Sequence, residues 1–396
     1  MHTSETENLI RYFSAPGRVE IGGNHTDHQL GRVLAAAVGL EITAAAKKNG
    51  SNTVRIGGRF ICPSGQANRP LDLTEVDLSA LDIRPEEKGT SAALVRGVAA
   101  WFARHGYAIG GFDADISSTV PIGAGLSSSA AFEVLIGNIF KGLFGAGISV
   151  IELAVAGQFA ENGYFGKPSG LMDQAASSFG GLNVIDFKDP ANTLVKPVDA
   201  DIPGYSLCVV DTGGSHADLT PDYAAIPSEM KAVAAYFNKE YLSELSADEF
   251  YSSISSLRHL GDRAVLRAIH YFEENERVLK QAAALERGDT ETFFELVVES
   301  GRSSLAYLQN TFSTSAPQEQ GVTLALALSE KILKGKGAWR IHGGGFAGTI
   351  LAFVPDGLNK EYGRQMRSVF GEGCCYFLNI QKEGGREITT SNSCPL

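Results

Sequence analysis

A glycine and serine loop leads into an apolar helical pattern in the first half of the chain. Residues 120–131 read Val-Pro-Ile-Gly-Ala-Gly-Leu-Ser-Ser-Ser-Ala-Ala, and the helical pattern continues to Phe140. Gly123 and Gly125 have no Cβ, so the backbone can approach a ligand closely. The serines lie where a helix begins, and there the amide groups and the helix dipole favour an anion. The loop predicts a phosphate-binding site; the alternative is an ordinary glycine turn with a serine cap.

The commonest phosphate-binding motifs do not describe this loop, which lacks the Walker A lysine and the third glycine of a dinucleotide motif. A second glycine run, residues 343–348, does satisfy G-x-G-x-x-G. It leads into Thr-Ile-Leu-Ala-Phe-Val at 349–354, which has the pattern of a strand, whereas a dinucleotide motif must begin a helix. We therefore expect this run to pack against an active-site loop.

Three segments share their order with one group of kinases. Residues 14–28 read SAPGRVEIGGNHTDH, residues 163–174 read GYFGKPSGLMDQ, and residues 343–349 read GGGFAGT. In this order they resemble the signature, the catalytic segment and the C-terminal glycine loop of the galactokinases, which are GHMP small-molecule kinases. The serine loop then corresponds to the nucleotide loop of that family. The resemblance extends over about residues 14–350.

The resemblance implies an α+β protein with the two-domain GHMP kinase fold. Residues 1–200 would form an N-terminal domain like domain 2 of ribosomal protein S5. Residues 201–396 would form a helix-rich, ferredoxin-like C-terminal domain. We place the boundary near residue 200 because the polar, proline-containing stretch 189–199 leads into the turn-like Asp-Ile-Pro-Gly at 201–204.

Several elements follow from the residue pattern itself. Residues 205–211 are typical of a buried strand, and helical periodicity dominates from about residue 228 to residue 309. The clearest helix is predicted to begin near Asp262, whose side chain can cap it, and to stop at Gly288.

The resemblance assigns two residues to phosphoryl transfer. Asp173 matches the family's catalytic aspartate, which faces the anomeric hydroxyl of the sugar, and Arg18 matches the arginine paired with it. A guanidinium would keep the carboxyl group ionised and stabilise charge that moves onto the phosphate. The alternative for Asp173 is a helix N-cap, and the alternative for Arg18 is a surface ion pair.

ATP and Mg²⁺ are implied as the nucleotide and the metal. The ATP-binding residues would be Pro121, Gly123, Ala124, Gly125, Leu126, Ser127, Ser128 and Ser129. Glu161 matches the magnesium carboxylate of the family, and Ser129 matches its hydroxyl ligand. These two ligands are enough because Mg²⁺ keeps water and phosphate oxygens as its other ligands. The alternative for Glu161 is an exposed glutamate at a helix end.

The substrate-binding residues implied by the resemblance are Asn24, His25, Asp27, Gly170 and Tyr223. In this family the His-Thr-Asp stretch binds ring hydroxyls, and the aspartate binds two adjacent ones. A transition-metal site at His25, Asp27 and His28 is the alternative. Asn24 stands where galactokinases have a glutamate that binds the C6 hydroxyl. Because an amide carries no charge, we expect weaker galactose binding and less repulsion of a C6 carboxylate.

The predicted function is therefore that of an ATP-dependent sugar 1-kinase. A galactokinase would convert galactose and ATP into α-galactose 1-phosphate and ADP, the first step of galactose catabolism. Galacturonate or another C6-modified sugar is the alternative substrate. A galactose and ATP sensor for a transcription regulator is a further alternative, which the complete serine loop disfavours.

Composition limits the classes of partner. The chain has 396 residues and a formal net charge of −11, which argues against nucleic acid or an anionic membrane as partner. The five cysteines show no C-x-x-C spacing, which argues against a zinc site. Residues 1–7 have no signal-peptide layout. No apolar run approaches the roughly 20 residues that a membrane-spanning helix needs. We expect a cytoplasmic protein, monomeric or weakly self-associating, with a sugar and ATP as small-molecule partners.

Overall fold

The computed structural model describes residues 9–62, 68–214, 219–346 and 348–389, so Cys394 and residues 1–7 lie outside the described part. The strands, in chain order, are β1 (Arg11–Gly22), β2 (Arg32–Lys48), β3 (Thr53–Phe60), β4 (Arg69–Asp77), β5 (Phe112–Ser118), β6 (Leu182–Asp186), β7 (Leu194–Pro197), β8 (Tyr205–Asp211), β9 (Ala338–His342), β10 (Thr349–Pro355), β11 (Cys375–Leu378) and β12 (Arg386–Ile388).

The helices, in chain order, are α1 (Ser91–Arg104), α2 (Ser128–Phe144), α3 (Val150–Ala160), α4 (Met172–Phe179), α5 (Thr220–Tyr236), α6 (Ala247–Ser252), α7 (Ile254–Leu257), α8 (Asp262–Glu286), α9 (Thr290–Ser303), α10 (Gly321–Leu333) and α11 (Asn359–Phe370). Two π-helical turns, Glu161–Phe165 and Ser304–Leu308, follow α3 and α9. This mixture of strands and helices confirms the α+β class. Among the described residues, no helix has both the length and the apolar character that crossing a bilayer requires.

The chain forms two compact units, and each is built from more than one stretch of sequence. Unit 1 consists of residues 1–18, 36–181 and 380–396, and unit 2 of residues 19–35 and 182–379. The division is discontinuous because the long strands β1 and β2 each contribute residues to both units. The domain boundary near residue 200 stays a prediction.

Unit 1 carries a mixed sheet with the strand order β12-β1-β2-β5-β3-β4. The β3–β5 pair is parallel, whereas β1–β12, β2–β5 and β3–β4 are antiparallel. Helices α1 and α3 approach each other closely at Gly97, where a Cβ would lie 2.6 Å from the Cα of Ala160. This close approach fixes the end of α3, and Glu161 is the next residue.

Unit 2 contains an antiparallel four-stranded sheet in the order β11-β8-β10-β9. Strand β8 covers the predicted residues 205–211, and β10 begins at Thr349, so both strand predictions are confirmed. The glycine run at 343–348 leads into a strand, which excludes a dinucleotide motif. Buried side chains of α5 and α8 form an apolar cluster in this unit, which includes Met230, Val233 and Tyr271.

Helix α8 matches its predicted extent but not its predicted cap. It ends at Glu286, and Gly288 follows with φ +68°. The residue before the helix is Gly261, and Asp262 already lies in the first turn, with its carboxylate bound 2.9 Å from Arg258 Nε. The cap prediction is wrong because a capping side chain must come from the residue that precedes the helix.

Candidate active site

The serine loop in unit 1 has the backbone conformation that its glycines allow. Gly123 and Gly125 have φ values of +85° and +71°, and Ser127 has φ +54°, directly before α2 begins at Ser128. The Ser127 hydroxyl does not cap α2 and instead donates a hydrogen bond to Asp173. The serine-cap alternative is therefore wrong. The loop and α2 together bring a helix N-terminus to a carboxylate that the sequence places 46 residues further along.

Arg18 and Asp173 form an ion pair in unit 1. The Arg18 Nε to Asp173 Oδ1 distance is 2.6 Å, and the two side chains are only 7% and 16% exposed. Arg18 also donates to the carbonyl oxygen of Gly125 in the serine loop. Leu171 precedes α4 and Asp173 lies in its first turn, so Asp173 is not the N-cap. Because both side chains are largely buried, the surface-pair alternative for Arg18 is also wrong.

Backbone contacts hold the two members of this pair in place. The Ser177 hydroxyl of α4 donates to the Pro16 carbonyl oxygen at 2.7 Å, and the Arg18 amide donates to Leu126 O at 3.2 Å. At Gly17, between them, a Cβ would lie 3.0 Å from Leu126 O. The Ala-Pro-Gly-Arg sequence thus lets β1 run close to the loop, and a side chain at Gly17 would press tightly against the Leu126 carbonyl oxygen.

Asp173 is held in its ionised form. Burial alone would raise its pKa, but the charge and the hydrogen bond of Arg18, with help from Lys167 and Ser127, lower the pKa to about 2. The carboxylate is therefore charged throughout the neutral pH range. It can accept a hydrogen bond, but it is a weak base.

Glu161 is completely buried at the junction between α3 and the π-helical turn. Ser129 Oγ and Lys167 Nζ bind its Oε1 at 2.9 and 3.0 Å, and Ser169 Oγ and Gln174 Nε2 bind its Oε2 at 2.7 and 2.8 Å. The exposed-glutamate alternative is wrong. The two residues predicted to hold Mg²⁺, Glu161 and Ser129, are in direct contact.

A second buried glutamate, which the sequence analysis missed, lies behind Glu161. Gln174 Nε2 donates to Glu133 Oε2 at 2.9 Å as well as to Glu161. Burial, and then the charge of Glu161, raise the pKa of Glu133 well above its ordinary value. Glu133 therefore keeps its proton to higher pH than an ordinary glutamate, and its Oε2 accepts the Gln174 amide. The available signal was a single charged residue inside an otherwise apolar helix pattern.

Unit 2 holds most of the predicted sugar-binding residues, and three of them bind one glycine run. Asn24 Nδ2 lies 2.7 Å from Gly343 O, His25 Nε2 lies 3.0 Å from Gly344 O, and the Tyr223 hydroxyl lies 2.8 Å from Gly345 O. Gly344 has no room for a side chain because a Cβ would lie 2.6 Å from the Tyr223 ring. Packing of the run against predicted site residues is thus observed.

Asn24 is fully buried and binds four protein groups. Besides Gly343, its Nδ2 donates to Glu20 Oε1 at 3.0 Å, and its Oδ1 accepts from Ser304 Oγ at 3.2 Å and Asn310 Nδ2 at 2.9 Å. Two donor hydrogens and two acceptor positions are the whole capacity of an amide side chain. Its contact with the sugar stays a prediction.

His25 is neutral and has one nitrogen without a protein partner. Burial, and then the charge of His28, lower the pKa of His25 to about 3. Its Nε2 faces the Gly344 carbonyl oxygen and must carry the hydrogen, so the buried Nδ1, which has no hydrogen-bond partner, is an acceptor. The imidazole can therefore accept a hydrogen bond from a hydroxyl group.

The remaining predicted residues lie in loops of the two units. Asp27 begins a short 3₁₀ turn in unit 2, where its Oδ1 accepts the His28 amide at 3.0 Å. Gly170 lies in unit 1, between the π-helical turn and α4. Lys167, in the same loop, was also missed. Its available signal was its position as the only lysine between residues 141 and 188.

Comparison with known proteins agrees with this fold and with these motifs. Residues 93–181 match the GHMP kinases N terminal domain, and residues 2–48 match the galactokinase galactose-binding signature. The chain is 30% identical over 379 residues to a galactokinase of Glaesserella parasuis serovar 5 (strain SH0165), covering 95% of this chain and 90% of the relative. It is 32% identical over 348 residues to a galactokinase of Streptomyces coelicolor (strain ATCC BAA-471 / A3(2) / M145), covering 86% and 84%.

Solved structures show the same fold. The galactokinase of Lactococcus lactis, crystallised with galactose, gives a TM-score of 0.78 at 24% identity and covers 96% of both chains. The mevalonate kinase of L. major gives 0.63 at 12% identity, covering 96% of this chain and 98% of the other. Fold and motifs together define a GHMP kinase. Within that class the chain belongs to the galactokinase family and is a sugar kinase.

We predict that Glu133→Gln changes how stability depends on pH. Above pH 4.5, the ordinary pKa of a glutamate, Glu133 loses its proton in the unfolded chain but keeps it in the folded chain. The free energy of unfolding of the wild type therefore falls as the pH rises from 4.5 toward the raised pKa of folded Glu133, by up to about 1.4 kcal/mol per pH unit. The variant lacks this loss. Its unfolding free energy relative to wild type should increase as the pH rises above the ordinary value of 4.5, in urea titrations with chelator. Glu86→Gln, at an exposed glutamate, is the control, and a pH-independent difference would contradict the raised pKa of Glu133.

Asn24→Asp should destabilise unit 2. The substitution removes both donors of the amide and brings a second carboxylate against Glu20, so we expect a loss of about 3 kcal/mol in unfolding free energy. Asn52→Asp makes the same chemical change at an exposed site and should have little effect. Equal melting temperatures for the two variants would show that the Asn24 contacts contribute nothing.

Proposed function

We propose that this sugar kinase transfers the γ-phosphoryl group of ATP to O1 of galactose, with Mg²⁺ bound by Glu161 and Ser129. The observation that carries the proposal is the Arg18–Asp173 ion pair, which also contacts the serine loop through Gly125 and Ser127. Phosphoryl transfer depends on positioning and on stabilising charge, and this arrangement offers a fixed carboxylate, a fixed cation and a helix N-terminus.

In the proposed reaction, Asp173 orients the acceptor. Its carboxylate accepts a hydrogen bond from the C1 hydroxyl, O1 forms a bond to the γ-phosphorus, and the bond from that phosphorus to the oxygen retained by ADP breaks. The proton of the hydroxyl passes to Asp173 and then to solvent. Because the pKa of Asp173 is about 2, the proton moves late, after the bond to the leaving group has largely broken.

Arg18 has two functions in this proposal. Its bond to Asp173 keeps that carboxylate ionised and fixes its direction. Its guanidinium also offers positive charge to the phosphate oxygens of the transferred group.

The donor set around Glu161 fits Mg²⁺. The carboxylate of Glu161 is buried, and the Ser129 hydroxyl contacts its Oε1. Both groups are hard oxygen ligands, and Mg²⁺ prefers a small number of such protein ligands. When bound, the metal would neutralise charge on the phosphate oxygens. Gln174 and Ser169 hold the other carboxylate oxygen, so Glu161 would keep its orientation while Oε1 binds the metal.

Galactose is proposed as the sugar on the strength of the residues in unit 2 and of the family. Asp27 would accept hydrogen bonds from two adjacent hydroxyls, His25 would accept one through Nδ1, and Tyr223 and Gly170 would complete the contacts. Asn24 would contact the sugar only by giving up one of its four protein partners. Galacturonate is the second candidate because the neutral Asn24 removes a charge that would repel a C6 carboxylate.

The proposal is tested by the product. With Mg²⁺-ATP and galactose, phosphorus NMR should show an anomeric phosphate, and galactose should have the highest kcat/KM in a panel with galacturonate, glucose, N-acetylgalactosamine and arabinose. Asp173→Asn should lower kcat at least about a hundredfold, because the amide keeps the shape of the side chain but cannot accept the proton.

Asp115→Asn, at an exposed aspartate of the same unit, is the matched control and should retain wild-type activity. A sugar 6-phosphate as product, or no product with any sugar of the panel, would contradict the proposed reaction. An Asp173→Asn variant with most of its activity would remove Asp173 from the mechanism.

A further inference from the structure

Lys167 is a flexible cation at a buried carboxylate. Its Nζ lies 3.0 Å from Glu161 Oε1, and its side chain is 58% exposed whereas that of Glu161 is 0% exposed. The same Oε1 accepts the Ser129 hydroxyl. The ammonium group therefore occupies a position next to Oε1 that a metal ion would need in order to bind this oxygen.

Local structure brings Lys167 back to Glu161. The π-helical turn begins at Glu161 and is followed by Gly166 with φ +82°. The amides of Gly166 and Lys167 both donate to the Glu161 carbonyl oxygen, at 3.0 and 3.1 Å. The chain thus closes into a loop whose last side chain points at the carboxylate of its first residue. Asn162 Oδ1 accepts the Ser169 amide at 2.7 Å and holds the loop closed.

Glu161 has no position left for another cation. A carboxylate accepts about four hydrogen bonds, and Glu161 has four donors, two on each oxygen. A metal ion on Oε1 must replace one of them. Ser129 can stay, since a hydroxyl can turn its hydrogen away and offer a lone pair, but an ammonium cannot. Lys167 is also the most exposed of the four donors and can leave freely.

We propose that Mg²⁺ displaces Lys167 from Glu161, and that the displaced ammonium binds the terminal phosphate of the nucleotide. Lys167 would then supply the lysine that the serine loop lacks. The inference rests on the proposed function, because it requires the metal at Glu161. No covalent bond changes: the lysine exchanges a carboxylate partner for a phosphate partner.

The charges around the serine loop support this exchange. Arg18 is already bound to Asp173, and Lys167 is bound to Glu161, so each carboxylate has one cation. A divalent ion at Glu161 would neutralise this carboxylate without Lys167. The positive charge of the Lys167 ammonium group would then be available to the negatively charged phosphates of the nucleotide. A lysine ammonium is a common phosphate ligand and reaches it as a point charge on a flexible stem.

The test measures the preference for the terminal phosphate, defined as the ratio of the dissociation constants of ADP and AMPPNP from calorimetry. With saturating Mg²⁺, Lys167→Met should reduce this ratio about tenfold, because a hydrogen bond to a charged group is lost. With EDTA it should leave the ratio unchanged, since wild-type Lys167 then stays on Glu161. Lys167→Arg should restore part of the ratio. Lys47→Met, at an exposed lysine, should match wild type.

Glu161→Gln separates the exchange from the metal site. In this variant Lys167 has no carboxylate at position 161 to hold it without metal, so adding Lys167→Met should reduce the ratio even in EDTA. A Lys167→Met effect that is the same with and without Mg²⁺, or that is absent with Mg²⁺, would overturn the exchange. If Glu161→Gln leaves the Mg²⁺ dependence of nucleotide binding unchanged, the proposed metal site itself is wrong, and the exchange fails with it.

Discussion

The ion pair between Arg18 and Asp173 is the interaction on which the rest of unit 1 depends. A largely buried aspartate would otherwise be protonated, and a largely buried arginine would lack a counterion. Each residue therefore requires the other, although 155 positions separate them in sequence. Strand β1 and helix α4 must meet for this contact to form. The Ser177 bond to Pro16 and the missing side chain at Gly17 are the means by which they do so.

Buried polar groups also hold each other in place around Glu161 and around Asn24. Gln174 joins the side chains of Glu133 and Glu161, and so orients the carboxylate that we propose for Mg²⁺. In unit 2, Asn24 joins Glu20, Gly343 and two further side chains, and Glu20 is paired with the buried Arg340 at 2.8 Å. The low dielectric of the protein interior strengthens hydrogen bonds of this kind. Substitutions in these two networks should first change the orientation of Glu161 or Asn24, and should affect phosphoryl transfer only through that change.

Sequence reasoning predicted the features that depend on local pattern or on a complete motif. Strands β8 and β10 and the helix after the serine loop were anticipated because residue type at short range decides them. The approach of the glycine run to predicted site residues joins distant parts of the chain, and it was anticipated from the match to the C-terminal glycine loop of the family. The Asp262 cap was mispredicted because one residue of shift places a carboxylate inside the helix. Glu133 and Lys167 were missed because their roles depend on contacts that the sequence does not show. Glu133 contacts Gln174, and Lys167 contacts Glu161.

Carbon NMR of the aspartate carboxyl groups measures whether Arg18 keeps Asp173 ionised. With ¹³C-labelled aspartate, the Asp173 signal, assigned by its loss in Asp173→Asn, should report an almost fully ionised carboxylate at about pH 4, consistent with a pKa of about 2. In Arg18→Met the pKa of Asp173 should rise, because burial then acts without the guanidinium. A wild-type Asp173 that is half protonated near pH 4, or a pKa that Arg18→Met does not change, would show that Arg18 does not hold Asp173 in its ionised form.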